Sequence, residues 1–252
     1  LITFVTGCDP DYNTSQKILK ELVKQGSDLL EIGMPFSDPM ADGPSIQKSS
    51  LRALSAGTNM KKIFRLVSDF RKKNKVIPIV LMGYLNPILS FGIKNFFKSA
   101  KNAGTDGLIV VDGPPEEDDE IFNAAKENNI DLIKLATPTT NSERLEKILK
   151  TCSGFLYYVS IKGITGAKSA NPKIVKNAIK NIKKNTNIPV AVGFGIKGPK
   201  DAAVIADSGC DGIVVGSALV EIIEKSLKNK KSRHNIAQKV GSMVKKLRTK
   251  LS

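Results

Sequence analysis

The chain has 252 residues, of which 41% are apolar and 25% charged, and its formal net charge is +15. This length suits one large domain with a sizeable core, and the composition as a whole excludes a disordered or collagen-like chain. No apolar run approaches the roughly 18 residues that a membrane-spanning helix needs.

The positive charge comes from 33 Lys and only 6 Arg, spread over most of the chain. Nucleic-acid-binding proteins concentrate basic residues in one patch and depend on Arg for bidentate contacts. We therefore interpret the charge as a solvated lysine surface, with a basic nucleic-acid-binding barrel as the less favoured alternative. The densest cluster, residues 225–231 with Lys245, Lys246 and Arg248, is interpreted as a C-terminal helix face.

The cysteines Cys8, Cys152 and Cys210 are odd in number and far apart. This pattern indicates a reducing compartment rather than a disulfide framework. A single histidine, His234, argues against a metal site, and the given sequence shows no n-region and h-region of the kind found in signal peptides. We expect a cytoplasmic protein, or a protein of the plastid stroma if the source is an alga or plant.

Short apolar runs, most of them rich in β-branched residues, alternate with amphipathic stretches along the whole chain. Nearly continuous apolar runs are typical of parallel strands that are buried on both faces. The eight predicted strands span residues 2–5, 29–33, 76–82, 107–111, 131–135, 155–160, 189–194 and 212–215.

The stretches between these runs carry apolar residues at helical spacing. The predicted apolar stripes are Ile18, Leu19, Leu22 and Val23; Ile63, Leu66, Val67 and Phe70; Phe96, Phe97 and Ala100; Leu145, Ile148 and Leu149; Ile174, Val175, Ala178, Ile179 and Ile182; and Ala202, Ala203, Ile205 and Ala206.

Eight strands that alternate with helices over about 250 residues predict a single α/β domain, a (β/α)8 TIM barrel over residues 1–252. An open doubly wound sheet is the alternative, but eight evenly spaced units favour a closed barrel. In such barrels the chemistry lies at the C-terminal ends of the strands.

Glu31 lies inside the apolar run 29–33, near the C-terminal end of a predicted strand. A buried carboxylate is costly unless it is paired or functional. A structural salt bridge is one interpretation, and an acid/base catalyst whose pKa is raised by desolvation is the favoured one.

The loop that follows Glu31 contains three prolines and a glycine, which stiffen it and allow a sharp turn. Asp38 and Asp42 in this loop are either turn-forming residues or functional carboxylates. For Asp38 the two interpretations are about even. Asp42 is directed by a rigid loop beside a buried glutamate, and paired carboxylates commonly divide acid and base roles.

Glycines end the last three predicted strands, at Gly163 and Gly166, at Gly193 and Gly195, and at Gly216 before Ser217. Barrels often bind phosphate after strands seven and eight, where backbone N–H groups meet a helix N-terminus. The aromatic residues Phe4, Tyr84, Tyr157 and Phe194 fall at strand ends. Together these features predict a phosphate ester of a largely apolar compound as the ligand.

Several stretches resemble the tryptophan synthase alpha subunit family over nearly the whole chain. They are residues 3–10, 31–44, 82–88, 111–117, 158–167 and 193–196. The most specific of them is the loop Pro-Phe-Ser-Asp-Pro-Met-Ala-Asp-Gly-Pro at residues 35–44. The short leading helix that closes the barrel bottom in this family has no counterpart before Leu1, and we expect it to be missing.

The resemblance implies reversible retro-aldol cleavage of indole-3-glycerol phosphate to indole and glyceraldehyde 3-phosphate. Glu31 matches the family's catalytic glutamate, Asp42 the aspartate that holds the indole N–H, and Tyr157 the tyrosine beside the glutamate. The residues that match the indole pocket are Phe4, Tyr84 and Phe194, and those that match the phosphate site are Thr165, Gly166, Gly195, Gly216 and Ser217.

The resemblance also implies a beta subunit as partner, in an alpha2–beta2 tetramer. The loop that carries Pro35 and Asp38 resembles the family's contact surface, as does the loop after strand six, where Thr165 would form part of a lid. No metal or organic cofactor is implied for this chain, because pyridoxal phosphate belongs to the beta partner. Neither nucleic acid nor a membrane is an expected partner.

Two alternatives keep the same fold. One is a stand-alone indole-3-glycerol phosphate lyase that releases free indole, and the other is a catalytically idle subunit that only activates its partner. The presence of both Glu31 and Asp42 argues against the idle subunit.

Overall fold

The computed structural model describes residues 1–113, 119–160, 171–193, 195–229 and 234–251. Its strands are β1 (Ile2–Thr6), β2 (Leu29–Gly33), β3 (Ile79–Gly83), β4 (Gly107–Val110), β5 (Asp131–Ala136), β6 (Leu156–Val159), β7 (Val190–Gly193) and β8 (Gly212–Val215). They pair in parallel in chain order, and β8 pairs with β1 to close the barrel. The predicted TIM barrel is confirmed.

Helices cover the outside of the barrel. Over the described residues they are α1 (Tyr12–Lys24), α2 (Pro44–Ser55), α3 (Met60–Arg71), α4 (Leu85–Phe91), α5 (Ile93–Ala103), α6 (Asp119–Glu127), α7 (Ser142–Thr151), α8 (Pro172–Ile182), α9 (Pro199–Ala206), α10 (Ser217–Lys228) and α11 (Ile236–Leu251). Asx caps begin several of them: the Asp11 carboxylate accepts the Thr14 N–H, and Asn59 and Asn141 act in the same way at α3 and α7.

Alternation along the strands divides the buried residues into two clusters. The cluster inside the barrel includes Ile2, Phe4, Val80, Met82, Ile109, Ile133, Phe155, Tyr157, Ala191 and Val214. The larger cluster lies between the strands and the helices and includes Leu30, Ile32, Leu81, Leu108, Leu132 and Val192. Glu31 lies beside Phe4 on one side and Val80 on the other, so its side chain projects into the barrel interior.

Strand β3 begins later than the sequence predicts. Val76 is 90% exposed, and the strand starts at Ile79. The Asn74 side chain accepts hydrogen bonds from the N–H groups of Val76 and Ile77, which holds this segment in a turn. Pro78 then removes a backbone donor just before the strand.

Most residues of the predicted apolar stripes on α1, α3, α5, α7 and α9 are buried against the barrel. On α8 the prediction is wrong for Ile174, which is 54% exposed, whereas Val175, Ile179 and Ile182 are buried. Ile174 lies in the first helical turn, one position from Val175, and is therefore rotated away from the barrel.

The basic C-terminal cluster does not form one helix face. Lys225 and Lys228 lie on α10, whereas Lys245, Lys246 and Arg248 lie on α11. Arg248 contacts the Asp28 carboxylate at 2.6 Å, and its methylene groups pack against Gly26. Part of the basic cluster therefore serves packing between α11 and the start of the barrel.

The three cysteines are free thiols, and Cys8 and Cys152 are buried. Across the part of the chain that the structure describes, no helix is both long and apolar enough to cross a membrane.

Candidate active site

A cavity of about 210 Å³ opens at the C-terminal ends of the strands. Its floor is the barrel interior, and its walls come from β1, β2, β3, β6 and β8, from the loops after β2, β7 and β8, and from α2, α10 and α11. The predicted site residues that line it are Phe4, Glu31, Asp42, Tyr157, Gly195, Gly216 and Ser217. Closure of the barrel thus brings together residues that are more than 180 positions apart in the sequence.

Glu31 is the most unusual group in this cavity. Its side chain is 1% exposed, and its Oε2 atom has no hydrogen-bond partner among the described residues. Burial raises the pKa of this carboxyl to about 8, and the nearby Asp42 carboxylate contributes to the shift. At neutral pH Glu31 is therefore mainly protonated and able to donate a proton.

Asp42 lies half-buried at the end of the loop that follows β2, just before α2. Its N–H group donates to the Pro39 carbonyl, and its own carbonyl accepts the Gln47 side chain. Burial raises the pKa of its carboxyl to about 6, against a hydrogen bond from Tyr84 that lowers it. Asp42 is thus mainly ionised at neutral pH, in contrast to Glu31.

Tyr84 holds the loop that carries Asp42. Its hydroxyl accepts the Ala41 N–H at 3.0 Å and donates to Asp42, and its ring lies 5.4 Å from that of Phe36. Tyr84 itself lines a small adjoining space of about 20 Å³, which it shares with Phe4 and Asp42, rather than the main cavity. Its position indicates that it orients the Asp42 loop.

Tyr157 projects from β6 into the barrel and is 3% exposed. Burial raises the pKa of its phenol well above the ordinary value, and the Glu31 carboxylate adds to the shift. A Cβ atom built on Gly193 of the adjacent strand would lie 2.0 Å from the Tyr157 hydroxyl oxygen. Glycine at position 193 therefore makes room for this tyrosine.

Gly195, Gly216 and Ser217 form the part of the cavity lining that follows β7 and β8. Gly195 has a φ of +77°, a left-handed conformation that favours glycine. Helix α10 starts at Ser217 after the cap residue Gly216, and within the described residues no side chain caps this end. The open N–H groups and the helix dipole make this terminus suitable for an anion.

The remaining predicted site residues fall into two groups. Pro35 is half-buried and Asp38 exposed, on the loop outside the cavity, where the Ser37 hydroxyl donates to the Asp38 carboxylate. Thr165, Gly166 and Phe194 lie outside the described residues. Their assignment, like that of the partner contact at Pro35 and Asp38, stays a prediction.

Sequence reasoning missed several residues that line the cavity, among them Ile46, Met82, Ile196, Lys197, Val214, Glu221 and Lys225. Met82 could have been predicted from strand alternation, because it lies two positions after Val80 on the same inward face of β3. Glu221 and Lys225 lie one and two turns beyond Ser217 on α10. Only the packing of this helix against the barrel shows that they reach the cavity.

The arrangement joins an apolar cavity, a neutral buried acid, an ionised aspartate and an anion-accepting helix terminus. Such a site can protonate a carbon or leaving group at one end while it holds a phosphate at the other. Among the described residues, no group of three or more His, Cys, Asp or Glu side chains is placed to hold a metal ion.

Comparison with known proteins identifies related chains. The family model for the tryptophan synthase alpha chain matches residues 1–250. Tryptophan synthase subunit alpha from Legionella pneumophila has a similar structure, with a TM-score of 0.90 and 36% identity over 99% of this chain and 91% of that one.

Two further solved structures have the same fold. A chain of the tryptophan synthase a2b2 complex from Pyrococcus furiosus has a TM-score of 0.89 and 37% identity, over 99% of this chain and 97% of that one. A chain of Mycobacterium tuberculosis tryptophan synthase has a TM-score of 0.86 and 31% identity, over 99% and 91% of the two chains.

Proposed function

The chain belongs to the tryptophan synthase alpha chain family, whose members act as lyases in tryptophan synthesis, and we propose that it cleaves indole-3-glycerol phosphate. The products are indole and glyceraldehyde 3-phosphate, and the reaction is reversible. The observation that carries this proposal is that one cavity holds two carboxyl groups of different protonation state together with the N-terminus of α10. Glu31, with a pKa of about 8, is mainly protonated at neutral pH, and Asp42, with a pKa of about 6, is mainly ionised.

Glu31 is proposed to act first as an acid. It donates its proton to C3 of the indole ring, which turns the ring into an indolenine cation and makes C3 a leaving group. Glu31 then accepts the proton of the side-chain hydroxyl while the bond from C3 to the side chain breaks. The bonding electrons return to the ring, the hydroxyl carbon becomes the aldehyde, and Glu31 regains its proton.

Asp42 is proposed to face the ring nitrogen. Its carboxylate accepts the N–H hydrogen bond and stabilises the positive charge that the nitrogen carries in the indolenine form. Phe4 and Met82 supply apolar walls of the kind an indole ring packs against. Tyr157 lies close enough to Glu31 for the two groups to interact electrostatically.

The phosphate is proposed to bind at Gly195, Gly216 and Ser217, where backbone N–H groups and the dipole of α10 attract it. The steps above need neither a metal nor an organic cofactor from this chain. We further propose a beta subunit as the partner, as in the a2b2 complex of the Pyrococcus furiosus relative. The exposed loop that carries Pro35 and Asp38 is the proposed contact.

The test is indole release from indole-3-glycerol phosphate by the wild type and by Glu31→Gln, each with and without a beta subunit. We expect weak release alone, strong stimulation by the partner, and a loss of at least about 1,000-fold in the variant. Fast release that a beta subunit does not change would indicate a stand-alone lyase. Cleavage by Glu31→Gln at the wild-type rate would contradict the proposed mechanism.

A further inference from the structure

Five charged side chains line the cavity: Glu31, Asp42, Lys197, Glu221 and Lys225. The first two belong to the proposed chemistry. The other three come from the loop after β7 and from α10, the two segments that also carry Gly195 and Ser217. Their charges therefore bear directly on which anions the cavity accepts.

Glu221 and Lys225 compensate each other. The Lys225 ammonium lies 3.7 Å from a Glu221 carboxylate oxygen, and the Ser45 hydroxyl donates to the other oxygen at 3.4 Å. Both residues are on α10, four positions apart, a spacing that supports an ion pair across one helical turn. Together they add little net charge to the cavity.

Lys197 differs from Lys225 in its surroundings. Its backbone N–H donates to the Asp201 carboxylate at 3.0 Å, which ties the loop after β7 to the first turn of α9. No carboxylate of the described residues forms an ion pair with its ammonium group. Lys197 follows Gly195 by two positions, and its long flexible side chain is exposed at the edge of the cavity.

We propose that Lys197 is a further substrate-binding residue, whose ammonium group adds a full positive charge to the phosphate end and favours dianionic phosphate monoesters. The inference rests on the proposed function, because it takes the phosphate to bind at Gly216 and Ser217. A phosphate monoester carries a charge of about −1.5 to −2 at neutral pH, whereas a helix N-terminus supplies only about +0.5. Lys197 offsets part of the difference.

The expected effect follows from Coulomb's law. A lysine about 6 Å from a dianion in a largely aqueous setting changes its affinity by roughly three- to tenfold. Because Lys197 is exposed, salt should screen the interaction strongly. Its contribution should appear in KM and in phosphate affinity, while kcat stays the same, since the ammonium interacts equally with the bound substrate and the transition state.

The experiment compares Lys197→Gln, Lys197→Arg and Lys200→Gln with the wild type. Lys200 is the matched control, an exposed lysine on the first turn of α9 that does not line the cavity. Calorimetry measures the binding of glycerol 3-phosphate and, separately, of indole, at low and high ionic strength. Steady-state kinetics with indole-3-glycerol phosphate then gives kcat and KM.

We expect Lys197→Gln to weaken glycerol 3-phosphate binding and raise KM by roughly three- to tenfold at low salt, with indole affinity and kcat unchanged. Lys197→Arg should keep wild-type affinity, and the loss should shrink at high salt. Equal behaviour of Lys197→Gln and wild type would overturn the inference. So would an equal loss in Lys200→Gln, or a parallel loss of indole binding.

Failure of the proposed function would give a different binding result from failure of the role of Lys197. If the wild type itself bound no glycerol 3-phosphate, the phosphate end of the proposed site would be wrong, and the inference would fall with it. If the wild type bound this ligand and Lys197→Gln bound it equally well, only the role of Lys197 would be wrong.

Discussion

The hydroxyl of Tyr157 occupies the space that a side chain at position 193 would need. A Cβ atom on Gly193 would lie 2.0 Å from the hydroxyl oxygen and 2.5 Å from the ring carbon that bears it. The two residues are 36 positions apart in the sequence and lie on the adjacent strands β6 and β7. Glycine at 193 thus lets a bulky phenol lie beside Glu31 inside a narrow barrel.

Gly193→Ala should therefore displace Tyr157. Overpacking of a well-packed core costs about 1 to 3 kcal/mol, and we expect a loss of about 2 to 3 kcal/mol in unfolding free energy together with a large loss of cleavage. Gly212→Ala is the matched control, because its Cβ would meet its nearest neighbour at an ordinary 3.4 Å. Urea unfolding and indole release measure both effects. A Gly193→Ala protein as stable and active as Gly212→Ala would contradict this account.

The cleavage rate should depend on pH in a bell shape. Glu31 must be protonated, so activity falls as pH rises through its pKa of about 8, and Asp42 must be ionised, so activity falls as pH drops through its pKa of about 6. Because the two carboxyl groups interact, the apparent pKa values read from the two limbs belong to the pair rather than to either residue alone. In Asp42→Asn the low-pH limb should disappear. A rate that stays flat from pH 5 to 9 in the wild type would contradict the assignment.

Glu31→Gln should stabilise the folded protein at high pH. The pKa of Glu31 is raised in the folded state, so its proton adds stability in acid, and that stability is lost as pH rises from about 4.5 through about 8. At full ionisation the burial cost is on the order of 3 to 5 kcal/mol. The variant should therefore gain stability over the wild type between pH 5 and 8.5, as measured by denaturant unfolding.

The control for that gain is Glu146→Gln, which changes an exposed glutamate on α7. Its effect on stability should be small, because this side chain is exposed. If Glu31→Gln showed the same difference from wild type at pH 5 and at pH 8.5, Glu31 would not carry a raised pKa.

Tyr84→Phe should impair Asp42 through two lost contacts. The Ala41 N–H loses its acceptor and the Asp42 carboxylate loses a donor. The pKa of Asp42 should rise, which moves the low-pH limb of the rate profile upward, and the rate at pH 7 should fall about tenfold. Tyr158→Phe is the control, since the Tyr158 hydroxyl is buried on the outer face of β6 with no hydrogen-bond partner among the described residues. An unmoved limb in Tyr84→Phe would count against this role.

The ion pair of Asp9 and Arg52 should contribute to stability. Arg52 on α2 donates two hydrogen bonds of 2.8 Å to the buried Asp9 carboxylate, which follows β1. Arg52→Met would leave that carboxylate unpaired, and we expect a loss of about 3 kcal/mol in unfolding free energy.

Lys72→Met, which removes the exposed partner of Asp69, is the control for this pair and should cost less than about 1 kcal/mol. Burial raises the pKa of Asp9 even beside Arg52. The loss in Arg52→Met should therefore grow as pH rises and Asp9 is forced to ionise. Equal losses in the two variants would refute this account of the pair.

The amino-acid sequence alone determined the architecture and the first half of the site. Alternating apolar runs and amphipathic stretches predicted eight strands and the closed barrel, because burial on both faces of a strand leaves a local signature. Glu31 could be recognised because a carboxylate inside an apolar run is costly. Asp42 could be recognised because its loop is rigid and follows the same strand.

The tertiary structure decided what depends on contacts between distant parts of the chain. Three features arise from closure of the barrel and the packing of its loops: the fit of Tyr157 against Gly193, the contacts of Tyr84 with Ala41 and Asp42, and the position of Lys197 in the cavity lining. Sequence periodicity records which face of an element is buried. It carries no information on which residue of a neighbouring element fills the adjacent space, because that depends on strand register and helix packing.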